Sequence, residues 1–192
     1  MKTVVLGVTG SIAAYKACEI VNTLVKSGYE VHVIMTQAGT KFVTPLTFQT
    51  LSCNKVYTNQ FEEIANYDVR HISLSQKADA FLLAPATANI IAKIANGIAD
   101  DMLTTVVMAA RRKPIIICPA MNTAMYENAI TQKNIDTLSG LGYTFVEPKE
   151  SRLACGDVGK GALADVTTIV EALESVFRES GESNQSEVNK CS

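Results

Sequence analysis

The sequence predicts an α/β fold, a single domain whose parallel sheet is covered by helices on both faces. Three observations carry that expectation. Pro114-Ile115-Ile116-Ile117-Cys118 and Ala80-Phe81-Leu82-Leu83 are short, wholly apolar runs, the pattern of strands buried on both faces. Stretches of helical period alternate with such runs, as in repeated βα units. At 192 residues, 47% of them apolar, the chain is sized for one domain with a substantial core.

Thr3-Val4-Val5-Leu6-Gly7-Val8 reads as the first strand, and Thr9-Gly10-Ser11 as a turn into a helix from Ile12 to about Ser27, closed by Gly28. Gly7, Gly10 and Ser11 suit a phosphate, because glycine lets backbone approach closely and a helix N-terminus offers N–H groups with partial positive charge. The spacing is G-x-x-G-S, not the dinucleotide G-x-G-x-x-G, and such a turn can equally serve only to pack helix on strand. The second strand is Glu30-Val31-His32-Val33-Ile34-Met35. Its carboxyl end carries Thr36, where dinucleotide folds place an acid for the ribose hydroxyls, and Glu30 stands too early to reach that crevice. A hydroxyl there favours the phosphate of a mononucleotide such as FMN. His32 is an ordinary strand residue with no assigned role.

Pro45 marks a helix start between Ala38 and Cys53, and Val56-Tyr57 a short strand followed by a polar loop to Asp68. Arg70-His71-Ile72-Ser73-Leu74 comes next, just before a helix-like turn. His71 is the better placed of the two histidines for proton transfer near neutrality, with a surface or capping role as the alternative. The strand at 80–83 runs into Ala84-Pro85-Ala86-Thr87-Ala88-Asn89, before a helix from Ile90 to about Asn96. There the alternating small residues let a flat ring lie against the backbone, while Thr87 and Asn89 can hydrogen-bond its heteroatoms. Asp100 and Asp101 read as helix-opening acids.

Pro119-Ala120-Met121-Asn122-Thr123-Ala124-Met125-Tyr126 follows the strand at 114–118, so Asn122 stands beyond the carboxyl end of a strand, where ligands bind in open α/β sheets. Its amide can hold a carboxylate without neutralising it. The plainer alternative is a helix cap, with Met121 and Met125 in the core. A helix over Asn128–Gly140 and a last strand over Tyr143–Val146 complete the sheet. Residues 151–162 read as a long glycine-rich loop without an element of its own, in the manner of a lid, and Cys155 in it is the one cysteine positioned for chemistry. A helix from Val166 to about Phe177 ends a domain of residues 1–178, and 179–192 is a polar tail expected to be disordered.

Composition excludes several classes. Seventeen basic and nineteen acidic residues give a formal charge of −2, and the densest basic cluster is Arg111-Arg112-Lys113, so no nucleic-acid footprint is present. Cys18, Cys53, Cys118, Cys155 and Cys191 are scattered and odd in number, without a C-x-x-C pair, against a disulfide framework or a zinc site. Reduced thiols and a cytoplasmic location are expected. Met1-Lys2-Thr3-Val4-Val5-Leu6-Gly7 lacks the long apolar region expected of a signal peptide and no stretch approaches 18 uninterrupted apolar residues, so a membrane is not an expected partner.

Taken in order, five motifs resemble the homo-oligomeric flavin-containing cysteine decarboxylases: Gly7-Val8-Thr9-Gly10-Ser11-Ile12-Ala13-Ala14-Tyr15-Lys16, His71-Ile72-x-Leu74, Pro85-Ala86-Thr87-Ala88-Asn89, Pro119-Ala120-Met121-Asn122-x-x-Met125 and Leu153-Ala154-Cys155-Gly156. The resemblance covers roughly residues 1 to 178. Ile90 stands where the flavin motif often has threonine, and Tyr126 where the last motif often has tryptophan. The resemblance implies a Rossmann-like, flavodoxin-like sheet, FMN as cofactor, and phosphopantothenoylcysteine as small-molecule substrate on the way to coenzyme A. It implies a homotrimer or a dodecamer built from trimers, with no metal. In the family pattern His71, Asn122 and Cys155 are catalytic. Gly10, Ser11, Thr36, Pro85, Ala86, Thr87, Ala88, Asn89 and Ala120 hold the flavin, and Asn122, Met125, Ala154 and Cys155 face the substrate. Oxidative decarboxylation of a peptide's C-terminal cysteine is the nearest rival, disfavoured by Cys155, which that reaction does not need. Flavin prenyltransferases lack the P-x-M-N-x-x-M motif, and non-catalytic modules of this fold carry an incomplete site.

Overall fold

The computed structural model describes residues 1–61, 70–110, 113–152 and 158–188. Its strands are β1 (Thr3–Val8), β2 (Glu30–Met35), β3 (Val56–Tyr57), β4 (Ala80–Ala86), β5 (Ile115–Pro119), β6 (Thr144–Phe145), β7 (Lys149–Arg152) and β8 (Val158–Ala162). Its helices are α1 (Ala14–Lys26), α2 (Pro45–Ser52), α3 (Arg70–Lys77), α4 (Ala88–Ala95), α5 (Met102–Met108), α6 (Thr123–Tyr126), α7 (Ala129–Gly140) and α8 (Val166–Val188). The first six strands form one sheet in the order β3-β2-β1-β4-β5-β6, every neighbouring pair parallel. This is the doubly wound, Rossmann-like order, with its reversal between β1 and β4.

Side chains alternate across a strand, so each apolar strand feeds two cores. Val4, Leu6 and Val8 of β1 pack on one face with Ala17, Ile20 and Leu24 of α1, Phe48 of α2 and Ile169 and Leu173 of α8. Val5 faces the other way, into a cluster with Leu74 of α3, Ile90 and Ile91 of α4, Leu103 of α5 and Leu138 of α7. Each fully buried leucine or isoleucine contributes about 1.5–3 kcal/mol relative to exposure. The continuous apolar runs are therefore the sheet's two-sided burial, as expected. Asp101 caps α5 in a reciprocal capping box with Thr104, so the helix-opening role read for it holds.

Two expectations are corrected. Residues 151–162 are not elementless: β7 and β8 pair antiparallel on either side of residues 153–157, which lie outside the described residues. The pairing escaped the sequence because β8 interleaves Gly159 and Gly161 with Lys160, leaving no apolar alternation to read. The tail is not irregular throughout either, since the backbone of α8 continues to Val188. Nothing before Gly181 breaks the helical pattern, and Arg178 lies 4.0 Å from Glu174 one turn earlier, a pair that supports helix by a few tenths of a kcal/mol.

The amino edge of the sheet carries a polar cluster that gives His32 a structural place. Lys77 Nζ lies 2.5 Å from Glu30 Oε1 and 3.2 Å from His32 Nε2, which is itself 3.1 Å from the same carboxylate oxygen. Burial, and then the Lys77 charge, lowers the His32 pKa below its ordinary 6.5, while Glu30 pulls weakly the other way. A lowered folded-state value means the neutral imidazole is favoured by folding. That contribution is complete above pH 6.5 and is lost as pH falls through the folded pKa. His32→Gln is expected to flatten the acid side of the stability profile relative to wild type, as read by urea midpoints below pH 6.5.

Candidate active site

The crevice opens where the chain leaves β1 and β4 in opposite directions, at the carboxyl edge of the sheet. Thr9 binds the two turns there. Its buried hydroxyl donates to the Pro85 carbonyl at 2.6 Å and accepts from the Thr87 N–H at 3.1 Å, and its own N–H donates to Pro85 at 3.3 Å. The Ala120 N–H in turn donates to the Ala86 carbonyl at 3.0 Å, adding the turn after β5. Three turns distant in sequence thus form one continuous rim. Thr9→Val would leave the Thr87 N–H without its acceptor, at a cost of about 1–3 kcal/mol. The urea midpoint of that variant should fall accordingly, and Thr9→Ser should restore it.

At the β1 turn, Gly10 is pressed against the turn after β2: a Cβ on Gly10 would lie 2.5 Å from Ala38 Cβ. This contact brings Thr36 to the same corner. The Thr36 hydroxyl accepts from the Gly39 N–H at 3.1 Å, and Ser11 Oγ accepts from the Ala13 N–H at 3.3 Å. The N-cap residue of α1, Ala13, has no side chain to cap the helix, and this end lies beside the half-buried Gly10, Ser11 and Thr36. Gly7 belongs to packing rather than to this corner, because a Cβ there would meet Leu103 Cδ1 at 2.6 Å. Glu30 sits at the far end of β2, opposite Thr3, so no acid takes the ribose-binding position at the end of that strand.

At the β4 turn, Pro85 and Ala86 are buried, Thr87 and Ala88 half-buried and Asn89 exposed. Helix α4 starts at Ala88 rather than Ile90, because the Thr87 hydroxyl caps it by accepting from the Ile90 N–H. Asn89 therefore stands on the first helical turn. After β5, Ala120 is buried and Asn122 half-buried, and Asn122 Oδ1 accepts from the Ala124 N–H at 2.8 Å. The capping alternative for Asn122 holds, and the cap turns the amide so that its oxygen faces α6. Met121 is only half-buried and Met125 is 49% exposed, so Met125 is not a core residue.

The structure gathers Gly10, Ser11, Thr36, Pro85, Ala86, Thr87, Ala88, Asn89, Ala120, Asn122 and Met125 along this edge. His71 is placed by its backbone alone, its side chain lying outside the description. Helix α3 ends at the amino edge, where Lys77 meets Glu30, and its eight residues span about 12 Å, so His71, the second residue of the helix, stands at the end directed away from that edge. Ala154 and Cys155 lie outside the described residues. Among the described cysteines, burial raises the thiol pKa of Cys118 and of Cys18, and exposed Cys53 follows the end of α2. Thr9 is the residue that sequence reasoning missed, and its place inside the first motif was the only signal.

Comparison with known proteins agrees with this fold. A probable phosphopantothenoylcysteine decarboxylase of Streptococcus mutans is 51% identical over 174 residues, spanning 90% of this chain and 97% of that protein. A PPC decarboxylase carrying a cysteine-to-serine change, complexed with pantothenoylaminoethenethiol, superposes with a TM-score of 0.84 at 32% identity over 92% of this chain and 98% of that one. The FMN binding protein AtHal3 gives a TM-score of 0.79 at 32% identity over 93% and 97%. Against the longer coenzyme A biosynthesis bifunctional protein CoaBC of Bacillus subtilis, 49% identical, the chain spans 44% of the length. The family profile described as Flavoprotein matches residues 1–178, nearly the whole of the 192. The chain belongs to the Flavoprotein family.

Proposed function

We propose that this chain is an FMN-dependent decarboxylase that converts phosphopantothenoylcysteine to 4′-phosphopantetheine and carbon dioxide for coenzyme A biosynthesis, with residues 1–178 as the flavin-binding unit. The observation that carries the reading is the single rim where the turns after β1, β4 and β5 are hydrogen-bonded together, in a chain 51% identical to a relative named for this reaction. We further propose a cytoplasmic homo-oligomer built from trimers, as the resemblance implies; the exposed Ile12, Tyr15, Phe42 and Leu46 on the segments around Ser11 and Thr36 fit a subunit interface. Among the described residues no helix is long and apolar enough to cross a membrane.

The donor set suits FMN. A helix N-terminus whose cap residue is an alanine, flanked by two hydroxyls, fits a terminal phosphate, and the missing ribose acid disfavours a dinucleotide. When bound, FMN would supply the two-electron couple, taking electrons as the substrate's CH2–SH becomes a thioaldehyde and giving them back after carbon dioxide has left. Between those two transfers the C=S group would receive the electron pair of the breaking C–C bond, which would leave an enethiolate and carbon dioxide. Asn122 would hold and orient the carboxylate through its amide. His71 would take the thiol proton during oxidation. Cys155 would deliver a proton to the enethiolate carbon that had borne the carboxylate, and with the returned electron pair arriving as hydride at the sulfur-bearing carbon the saturated thiol would form with no net redox change. The enethiol bound to the serine variant of the related PPC decarboxylase is the species that this scheme places before that last step.

Anaerobic incubation of the purified yellow protein with phosphopantothenoylcysteine tests the reading. Carbon dioxide and 4′-phosphopantetheine should appear in equal amounts. Absence of carbon dioxide would overturn it, and an enethiol as the wild-type end product would indicate an oxidative decarboxylase instead.

A further inference from the structure

Gly159 and Gly161 of β8 both meet the Met121–Thr123 segment. A Cβ on Gly161 would lie 2.3 Å from the Met121 carbonyl oxygen, and one on Gly159 2.6 Å from Thr123 Oγ1 and 2.8 Å from its Cγ2. Real side chains do not tolerate such distances, so β8 reaches this position only because both residues lack one. The hairpin's register serves the same contact. Lys149 pairs with Ala162 and Glu150 with Lys160, which leaves Gly161 as the extra residue of a bulge. Its carbonyl accepts from the Met121 N–H at 2.9 Å instead. From β8, Lys160 pairs with the Glu147 carboxylate, and its ammonium stands 5.7 Å from the Tyr126 ring centroid.

We infer that Gly159 and Gly161 are positioning residues, which key the β7–β8 hairpin onto the loop carrying Asn122 and hold the two in one register. The consequence for catalysis rests on the function proposed above. Because β8 follows directly on the segment that contains Cys155, losing this register should impair the final reduction more than the loss of carbon dioxide.

Two readouts on the flavin-loaded protein test this, and only one needs substrate. The Met121 amide should be protected from hydrogen exchange in wild type and exchange at least about tenfold faster in Gly159→Ala, with flavin retained. Given phosphopantothenoylcysteine, Gly159→Ala should still release carbon dioxide but form saturated product at least about tenfold more slowly, accumulating enethiol. Thr123→Ala removes both the Oγ1 and the Cγ2 contacts. The Gly159→Ala, Thr123→Ala double variant should therefore regain amide protection and saturated product, a coupling of about 1.4 kcal/mol for each tenfold recovered. If Gly159→Ala fails to fold, recovery of folding and both readouts in the double variant supports the inference. Normal Met121 protection and product in Gly159→Ala, or no recovery in the double variant, overturns it. Wild-type protein that leaves the substrate untouched, while amide exchange still follows the substitutions, would sink the functional reading and spare the docking.

Discussion

Asn122→Asp is expected to abolish turnover while the flavin stays bound. Aspartate is as good an N-cap as asparagine, so the hydrogen bond from the Ala124 N–H survives and α6 stays in place. What changes is charge. An ionised carboxylate placed about 4 Å from the substrate's own would repel it by roughly 4 kcal/mol at the effective dielectric of a partly exposed site. That corresponds to a rate loss of about a thousandfold, before the lost amide donor is counted. Asn122→Ala separates the two contributions: it removes the donor, worth about 1.5–3 kcal/mol toward a charged partner, and also the cap, worth about 1 kcal/mol of stability. Its turnover should therefore fall by roughly tenfold to a hundredfold, with a lower urea midpoint that the aspartate variant does not share. Steady-state kinetics with flavin absorbance as the control measures both. Wild-type turnover by Asn122→Asp would mean that the carboxylate is held elsewhere.

How far the sequence disclosed this arrangement depended on how local each signal was. Strands β1 and β2 were legible to the residue, because each is rich in β-branched and other apolar residues and ends at a turn, β2 keeping Val31, Val33, Ile34 and Met35 around His32. The cap at Asn122 was legible, since an asparagine directly after a buried strand and before a helix is a preferred N-cap. Thr9 was not, because its partners Pro85 and Thr87 lie 76 and 78 residues away, and a buried hydroxyl within a glycine turn looks like any other threonine. The Glu30, His32 and Lys77 cluster was hidden for the same reason, its lysine arriving from 45 residues beyond the histidine. The β7–β8 hairpin was concealed differently: its fit is made by absent side chains, and two glycines flanking a lysine read as flexibility until the Met121 carbonyl and Thr123 are seen against them.

Cys155→Ser is expected to split the reaction at its last step. If the thiol's only task is to protonate the enethiolate, the preceding oxidation and loss of carbon dioxide do not need it. A serine hydroxyl is a far weaker acid than a thiol, whose reference pKa is about 8.5, so protonation should stall. Neither Cys118 nor Cys18 can substitute, because burial raises both thiols further from ionisation. Under anaerobic conditions the serine variant should therefore complete one turnover, releasing one carbon dioxide per site and leaving bleached flavin with an enethiol in place of 4′-phosphopantetheine. His71→Asn should fail earlier, with no carbon dioxide and the flavin still oxidised, since an amide cannot take the thiol proton near neutrality. A Cys155 that merely packs predicts the opposite for the serine variant, namely saturated product at the wild-type rate and at most reduced stability. Mass analysis of the product alongside flavin absorbance distinguishes the two, and saturated product at the wild-type rate would remove Cys155 from the mechanism.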